Sequence, residues 1–570
     1  MSKRTIQCFG AIALALGGAN LAGADPAAAA TACGQGAMAG LNVPGVTIVT
    51  ATAVAPAQSA PAYCDVIGSI NTSDGNAPPG SAAFELRLPD AWNRKFLFLG
   101  VGGLAGTYAV TSANPVDTAS ALGKGYATMV TDTGHQAGGT DASWALIRSG
   151  VAADAKVADY LYRATHDATA AGKQLVQRYY EQALRYAYFD GCSNGGHQAL
   201  TEAADYPGDY DGIIAGAPFF DARTLLASAR FAKQQLSSPA AYLPASKLAM
   251  IDDAIMKSCD AADGVTDGLI QNPAKCGFDP KSLICKGGDA ADCLTAPQAD
   301  TLQTYLSATR DAAGDLVYNG SSVAALAGGA DVWSIGTKAP ADPESAEPWG
   351  NAGYAPAPLG WQFADHFLKF MVERDPAFDL RSLPLTANGE VPLDVVAALD
   401  ARLGVAMQPG PAGGFNPAAI DYAAYLNGGG KLLIYHGLAD PALPPFRTVQ
   451  LYANLANITP GGYDRLRQSA RLFLVPGMQH CRFGPGPNMF DTLTSLEQWV
   501  EHGIAPDAIG AVHHAGNDPA QPVTRTMPLC PFPRQAEYSG HGDLNDGANW
   551  SCTSNDRMLE VGPNGRDAGL

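Results

Sequence analysis

The segment Gly191-Cys192-Ser193-Asn194-Gly195 follows the apolar run Tyr188-Phe189 and puts a hydroxyl inside a Gly-x-Ser-x-Gly pattern. Small residues on both sides of a serine permit a sharp strand-to-helix turn, which holds the hydroxyl up at the C-terminal edge of a sheet. The backbone amide of Asn194, at the start of the helix, then points at a developing oxyanion. A serine alcohol is a poor nucleophile near neutral pH and needs a base oriented by a third group. In this arrangement the acid and then the histidine follow the serine along the chain. Two loops qualify. Leu432-Leu433-Ile434-Tyr435-His436-Gly437-Leu438-Ala439-Asp440 carries a carboxylate just past an apolar run, and Leu472-Phe473-Leu474-Val475-Pro476-Gly477-Met478-Gln479-His480 carries an imidazole in the same way. Of the 10 histidines only His480 abuts a cysteine, and a bond from Cys192 to Cys481 would clip the serine turn to the histidine loop. Ser193, Asp440 and His480 are therefore the expected nucleophile, acid and base. His436 and His135 are weaker alternatives as base, and Cys192 is a rival nucleophile. A second oxyanion donor is expected in Phe96-Leu97-Phe98-Leu99-Gly100-Val101-Gly102-Gly103-Leu104-Ala105-Gly106, with Gly103 slightly ahead of Gly102 and a plain glycine turn as the alternative reading.

The elements that must position these residues can be read from hydrophobic pattern. Short apolar runs at 95–99, 127–131, 186–189, 212–215, 431–435 and 471–475 predict strands. Three- and four-residue apolar spacing predicts helices over 157–166, 172–184, 195–204 and 491–500. Near-continuous apolar strands alternating with helices imply an α/β fold with a mostly parallel sheet covered on both faces. The alternation fades between about 217 and 425, where paired cysteines, Asp and Gly clusters and Pro-rich connections appear. That stretch is expected to be a second domain inserted between two strands of the first. The boundaries are 25–217 and 426–570 for the catalytic domain and 218–425 for the insertion. The aromatic stretch Trp361-Gln-Phe363-Ala-Asp-His-Phe367-Leu-Lys-Phe370-Met371 is read as ordinary helix packing in preference to ligand binding.

Composition bounds the partners. With 36 Lys+Arg against 54 Asp+Glu the 570-residue chain carries a net charge of −18, a field that repels polyanions and argues against a nucleic-acid partner. Lys3 and Arg4, an apolar stretch from Ile6 to about Leu16, and small residues at Ala22 and Ala24 predict a signal peptide over 1–24. Its removal takes away Cys8, one of 11 cysteines, and leaves an even set suited to an oxidising compartment. Secretion or a periplasmic location is expected, with no membrane partner after cleavage; oligomeric state is not legible. Cys259/Cys276 and Cys285/Cys293 are sequence neighbours that would close small local loops.

These residues resemble the tannase and feruloyl esterase family of secreted α/β-hydrolases, which includes the hydrolase of mono(2-hydroxyethyl) terephthalate. The likeness is carried by Gly-Cys192-Ser193-Asn-Gly-Gly, His436-Gly-Leu-Ala-Asp440, Pro-Gly-Met-Gln-His480-Cys481 and Cys259-Asp260-Ala-Ala-Asp263-Gly264-Val265-Thr-Asp267-Gly268-Leu269. It implies an α/β-hydrolase fold whose insertion is a large lid, a Ser193, Asp440, His480 triad, and a Cys192–Cys481 disulfide beside it. It also implies pairings of Cys33 with Cys64, Cys259 with Cys276, Cys285 with Cys293 and Cys530 with Cys552. A structural calcium ion in the lid is implied too, held by Asp260, Asp263 and Asp267 and by the carbonyls of Val265 and Leu269. Three carboxylates within eight residues, with glycines for tight turning, suit a hard cation that takes six to eight oxygens. The implied activity is hydrolysis of small aromatic acid esters of feruloyl or galloyl type through an acyl-enzyme. The alternatives are a terephthalate monoester hydrolase and a non-catalytic phenolic- or glycan-binding protein on the same fold.

Overall fold

The computed structural model describes residues 31–57, 60–108, 120–350, 356–406 and 422–554; the expected signal peptide and Cys8 lie outside them. A nine-stranded sheet organises the chain: β1 (Val46–Val54), β2 (Tyr63–Thr72), β3 (Gly80–Pro89), β4 (Lys95–Leu99), β5 (Ala127–Thr131), β6 (Tyr186–Cys192), β7 (Gly212–Gly216), β8 (Lys431–Gly437) and β9 (Ala470–Val475). Their spatial order is β1-β2-β3-β5-β4-β6-β7-β8-β9. From β5 to β9 every neighbouring pair is parallel, and β1, β2, β3 and β5 pair antiparallel. The fold is α/β with a mostly parallel sheet, as expected.

The two parts of the sheet have different sequence signatures for a physical reason. β5 and β7 are buried at every position because helices cover both faces. β2 alternates buried and half-buried residues, so its polar positions interrupt the apolar run that marks the other strands. The strand reading of the sequence therefore omitted β1 to β3.

The helices that matter for the site are α1 (Ala164–Tyr180), α2 (Asn194–Asp205), α3 (Thr224–Gln235), α4 (Leu359–His366), α5 (Pro445–Ile458) and α6 (Thr492–His502). α1 ends four residues before the predicted 184, because Glu181 turns left-handed at φ 51° and its N–H closes on the Gln177 carbonyl. The predicted helix over 157–166 is the continuous lead-in to α1 from Asp154, with a π-helical turn at Asp159–Arg163.

Between β7 and β8 the described residues add no strand to the central sheet. They build a core of their own, with Leu243, Ile251, Ile255, Ile270, Leu302 and Leu306 packed around Cys259 and Cys276. A second apolar cluster joins this insertion to the catalytic loops, setting Trp361, Phe367 and Leu368 against Val101, Leu104 and Tyr160. After β9, β10 (Met489–Phe490), β11 (Ile509–His514) and β12 (Val523–Leu529) form a small sheet, and β13 (Arg534–Tyr538) pairs with β14 (Trp550–Ser554). Five disulfides form, with the expected partners: Cys33–Cys64, Cys192–Cys481, Cys259–Cys276, Cys285–Cys293 and Cys530–Cys552. No helix among the described residues is long and apolar enough to cross a membrane.

Candidate active site

Ser193 stands between β6 and α2 with φ 63° and ψ −122°, a backbone conformation that costs an L-residue about 1–3 kcal/mol. Surrounding contacts hold it there. Its N–H donates to the Gly216 carbonyl at 2.9 Å, and its carbonyl accepts from His197 and Phe219, each at 3.0 Å. The glycines of the turn are required by close approach. A Cβ on Gly191 would lie 2.5 Å from the Gly195 backbone, and one on Gly195 would lie 3.0 Å from Gly100 at the end of β4. This contact brings the loop after β4 against the serine turn. Two hydrogen bonds lock it, with Asn194 Nδ2 donating to the Val101 carbonyl at 3.0 Å and the Val101 N–H donating to Gln198 Oε1 at 3.1 Å.

The acid and the histidine come from the ends of β8 and β9. His480 Nδ1 meets Asp440 Oδ2 at 2.7 Å, and both side chains are buried. Asp440 Oδ1 accepts from the backbone N–H groups of Ala442 at 2.8 Å and Leu443 at 3.0 Å. Burial alone would push this carboxyl up, yet His480 and His436 hold it well below the usual carboxylate range. Cys192 is bonded to Cys481, which anchors the serine turn to the residue after His480 and removes Cys192 as a nucleophile.

The other two histidines are committed elsewhere. His436 is buried, with Nδ1 on Thr448 Oγ1 of α5 at 2.8 Å and Nε2 3.0 Å from the Leu443 carbonyl and 3.2 Å from Asp440 Oδ2. It is a second partner of the acid, a role its position in the sequence motif does not reveal. His135 stacks on Trp144 at 3.7 Å and reaches the Leu104 carbonyl at 2.9 Å, and burial lowers its pKa to about 4.

Ser193, Asn194, Gly103 and His480 line one open cleft between the sheet edge and the insertion. Its walls include five aromatic side chains, Tyr160, Phe219, Trp333, Phe363 and Phe367. Trp333 sits edge-on to His480 at 4.6 Å and stacks on Phe363 at 6.1 Å. Part of the aromatic stretch read as plain packing thus faces the site: Phe363 and Phe367 line the cleft while Trp361 is buried behind them. Three π-helical turns, Asp159–Arg163, Asp331–Ile335 and Phe367–Val372, each deliver a wall residue, namely Tyr160, Trp333 and Phe367. The extra residue of a π turn re-aims a side chain that regular spacing would point elsewhere. Periodicity in the sequence carries no signal for it.

The acidic loop 260–269 packs on the C-terminal hairpins, with Leu269 clustered with Met527, Cys530, Ala536 and Trp550. It also abuts the histidine loop, since a Cβ on Gly477 would meet Leu269 Cδ2 at 2.7 Å. The loop is remote from the histidine loop in sequence but packs against it in space. Its donors are all oxygen, as a hard cation requires. Burial, and then repulsion from Asp267 and Asp260, raises the Asp263 pKa to about 6, and Asp267 is raised as well. Arg525 Nη1 lies 3.2 Å from Asp267 Oδ2 and contributes one positive charge. Among the described residues, the group of three ligand atoms within 4.8 Å of one another is a different one, His166, Glu202 and Asp209. The three aspartates suit calcium in donor chemistry and charge.

The sequence profile of the tannase and feruloyl esterase family matches residues 64–553. An uncharacterised esterase of Xanthomonas campestris is 34% identical, over 94% of this chain and 94% of its own. A mono(2-hydroxyethyl) terephthalate hydrolase of Piscinibacter sakaiensis is 32% identical, over 88% of this chain and 87% of its own. Among solved structures, an esterase from Aspergillus oryzae superposes with a TM-score of 0.72 at 25% identity, covering 91% of this chain and 100% of that one.

Proposed function

This chain belongs to the tannase and feruloyl esterase family and is a carboxylic ester hydrolase, and from that premise we propose that it cleaves uncharged aromatic acid esters, feruloyl or galloyl in type, through a Ser193 acyl-enzyme. The observation that carries this reading is a strained serine sharing an aromatic-walled cleft with a histidine whose other ring nitrogen is held by a buried aspartate.

Ser193 Oγ attacks the ester carbonyl carbon and gives its proton to His480 Nε2, while Asp440 Oδ2 holds Nδ1–H and stabilises the imidazolium. The backbone N–H groups of Asn194 and Gly103 receive the oxyanion. The bond to the alcohol oxygen breaks as His480 returns its proton there. Water, deprotonated by His480, then attacks the acyl carbon and releases the acid and free Ser193. Export is part of the proposal, supported by five disulfides in one chain.

The cleft lining favours a neutral acyl group over a terephthalate half-ester. Among the described residues no Lys or Arg lines it, and its polar wall groups include the hydroxyls of Thr224, Ser228 and Tyr160. A free carboxylate entering there would lose water without gaining a counter-charge, at a cost of several kcal/mol. We expect kcat/KM for methyl ferulate or methyl gallate to exceed that for a terephthalate monoester by about 100-fold, or about 2.7 kcal/mol. A side-by-side rate panel measures this, and a terephthalate monoester turned over as fast as the others would refute the neutral-acyl assignment.

Calcium at Asp260, Asp263 and Asp267 with the carbonyls of Val265 and Leu269 is a further part of the proposal, with a structural role supported by the packing of this loop on the C-terminal hairpins. At 100 times its Kd an ion bound only to the folded chain adds about 2.7 kcal/mol. Chelation is therefore expected to lower Tm by several degrees, and calcium, but not sodium, should restore it. An unchanged Tm after verified metal removal would remove calcium from the account.

A further inference from the structure

The helix that begins at the serine turn carries a separate cluster of chemistry-bearing side chains at its far end. His166 of α1, Glu202 of α2 and Asp209, in the turn between α2 and β7, each bring one ligand atom to a place where all three atoms lie within 4.8 Å of one another. At the helical rise, Glu202 stands about 12 Å along α2 from Asn194, so the cluster is distinct from the oxyanion site.

The positive groups nearby are spent on Asp209. His166 Nδ1 lies 2.7 Å from Asp209 Oδ2, and its ring is held by stacking on Tyr206 at 3.7 Å. Lys173 Nζ lies 3.8 Å from Asp209 Oδ1 and donates to the Asp209 carbonyl. Glu202 is left over. It has no exposed surface, and neither of its carboxyl oxygens has a hydrogen-bond partner among the described residues. Burial, and then repulsion from Asp209, raises its pKa well above the usual carboxylate range. Buried polar atoms are nearly always paired, so a whole carboxyl group left open beside an imidazole and a second carboxylate marks the place of a missing positive charge. A proton shared with Asp209 would satisfy one Glu202 oxygen and leave the other open. A divalent cation can take both, since a carboxylate binds metal through one oxygen or two.

The donor set selects the ion. One imidazole nitrogen and two carboxylates suit zinc, which takes such ligands at about 2.0–2.2 Å, whereas calcium asks for oxygen alone. Around a tetrahedral ion those atoms stand about 3.4 Å apart, so modest side-chain shifts close the cluster on it. The side chains of His166 and Asp209, 32% and 18% exposed, give an ion access from solvent without opening the core around Glu202.

We propose that His166, Glu202 and Asp209 form a structural site for zinc, distinct from the acidic loop 260–269, that clamps α1 to the end of the helix carrying the serine turn. The inference does not depend on which ester the chain cleaves.

The test titrates zinc into the full chain, stripped of metal and then saturated with calcium so that loop 260–269 does not compete. Calorimetry is expected to give one zinc per chain, with a rise in Tm of about 2–4 °C. His166→Gln should weaken zinc binding at least about tenfold while keeping ester turnover within about twofold of wild type. No zinc bound by the wild-type chain, or equal affinity in the variant, overturns the site and leaves the shared proton as the account of Glu202. Hydrogen exchange on the wild-type chain gives a reading that needs no variant. With calcium present, zinc is expected to slow exchange across 205–211 by about tenfold and to leave 260–269 unchanged; no slowing at 205–211, or slowing at 260–269 alone, overturns the assignment.

Discussion

Ser193→Ala is expected to lower kcat by about 10⁵- to 10⁶-fold while leaving the melting temperature within a degree or two of wild type. The substitution removes one oxygen and keeps the Cβ, so the strained φ of 63° and the three backbone hydrogen bonds that hold the turn are unchanged. The surviving catalysis would come from the oxyanion donors and from binding, which act on the substrate without a nucleophile. No thiol stands ready to replace the serine, because the adjacent Cys192 is bonded to Cys481. The measurement is a single-turnover assay on purified variant together with labelling by an active-serine reagent. Full ester turnover by the variant, or adduct formation at another residue, would show that the chemistry lies elsewhere.

The second large effect is expected from Asp440→Asn, at about 10⁴-fold in kcat. The reason is the geometry around the carboxylate. Ala442 and Leu443 both present N–H groups to Oδ1, so the amide oxygen of asparagine has to face them and its NH₂ turns toward His480 Nδ1. The imidazole then accepts at Nδ1 and carries its proton on Nε2, the atom that should take the proton of Ser193. The hydrogen-bond count survives but the tautomer is wrong. His436, 3.2 Å from Oδ2, is presented with a donor in place of an acceptor, which adds to the loss. KM should move far less than kcat, because Asp440 does not line the cleft. A drop of less than tenfold would mean that another group orients His480.

The parts of the site that were legible in the sequence are those set by short-range sterics. A serine between glycines permits this turn where an apolar strand precedes it and a helix follows, and His480 was singled out by its neighbour Cys481. Other features depend on distant partners. His436 reads as an alternative base until Thr448, twelve positions later on α5, is found to fix its ring. Gly100 and Gly195 look like unrelated turn residues, yet their contact docks the loop after β4 on the serine turn. The acidic loop 260–269 is more than 200 residues from His480 in sequence, and only packing reveals Leu269 against Gly477.

The sequence by itself determined the chain order of the candidate residues, a serine, an acid and a histidine at the ends of apolar strands, together with an even set of cysteines after the first and an α/β core with an interrupting insertion. These follow from local rules, since strand burial, turn sterics and residue type are properties of a few consecutive positions. Tertiary structure decided which side chains share the cleft. Its walls combine Tyr160, Phe219, Trp333, Phe363 and Phe367, three of them aimed by π-helical turns, and no local pattern encodes their meeting. That convergence is fixed by long-range packing of the insertion on the catalytic loops, and on it rests the proposed preference for an uncharged acyl group.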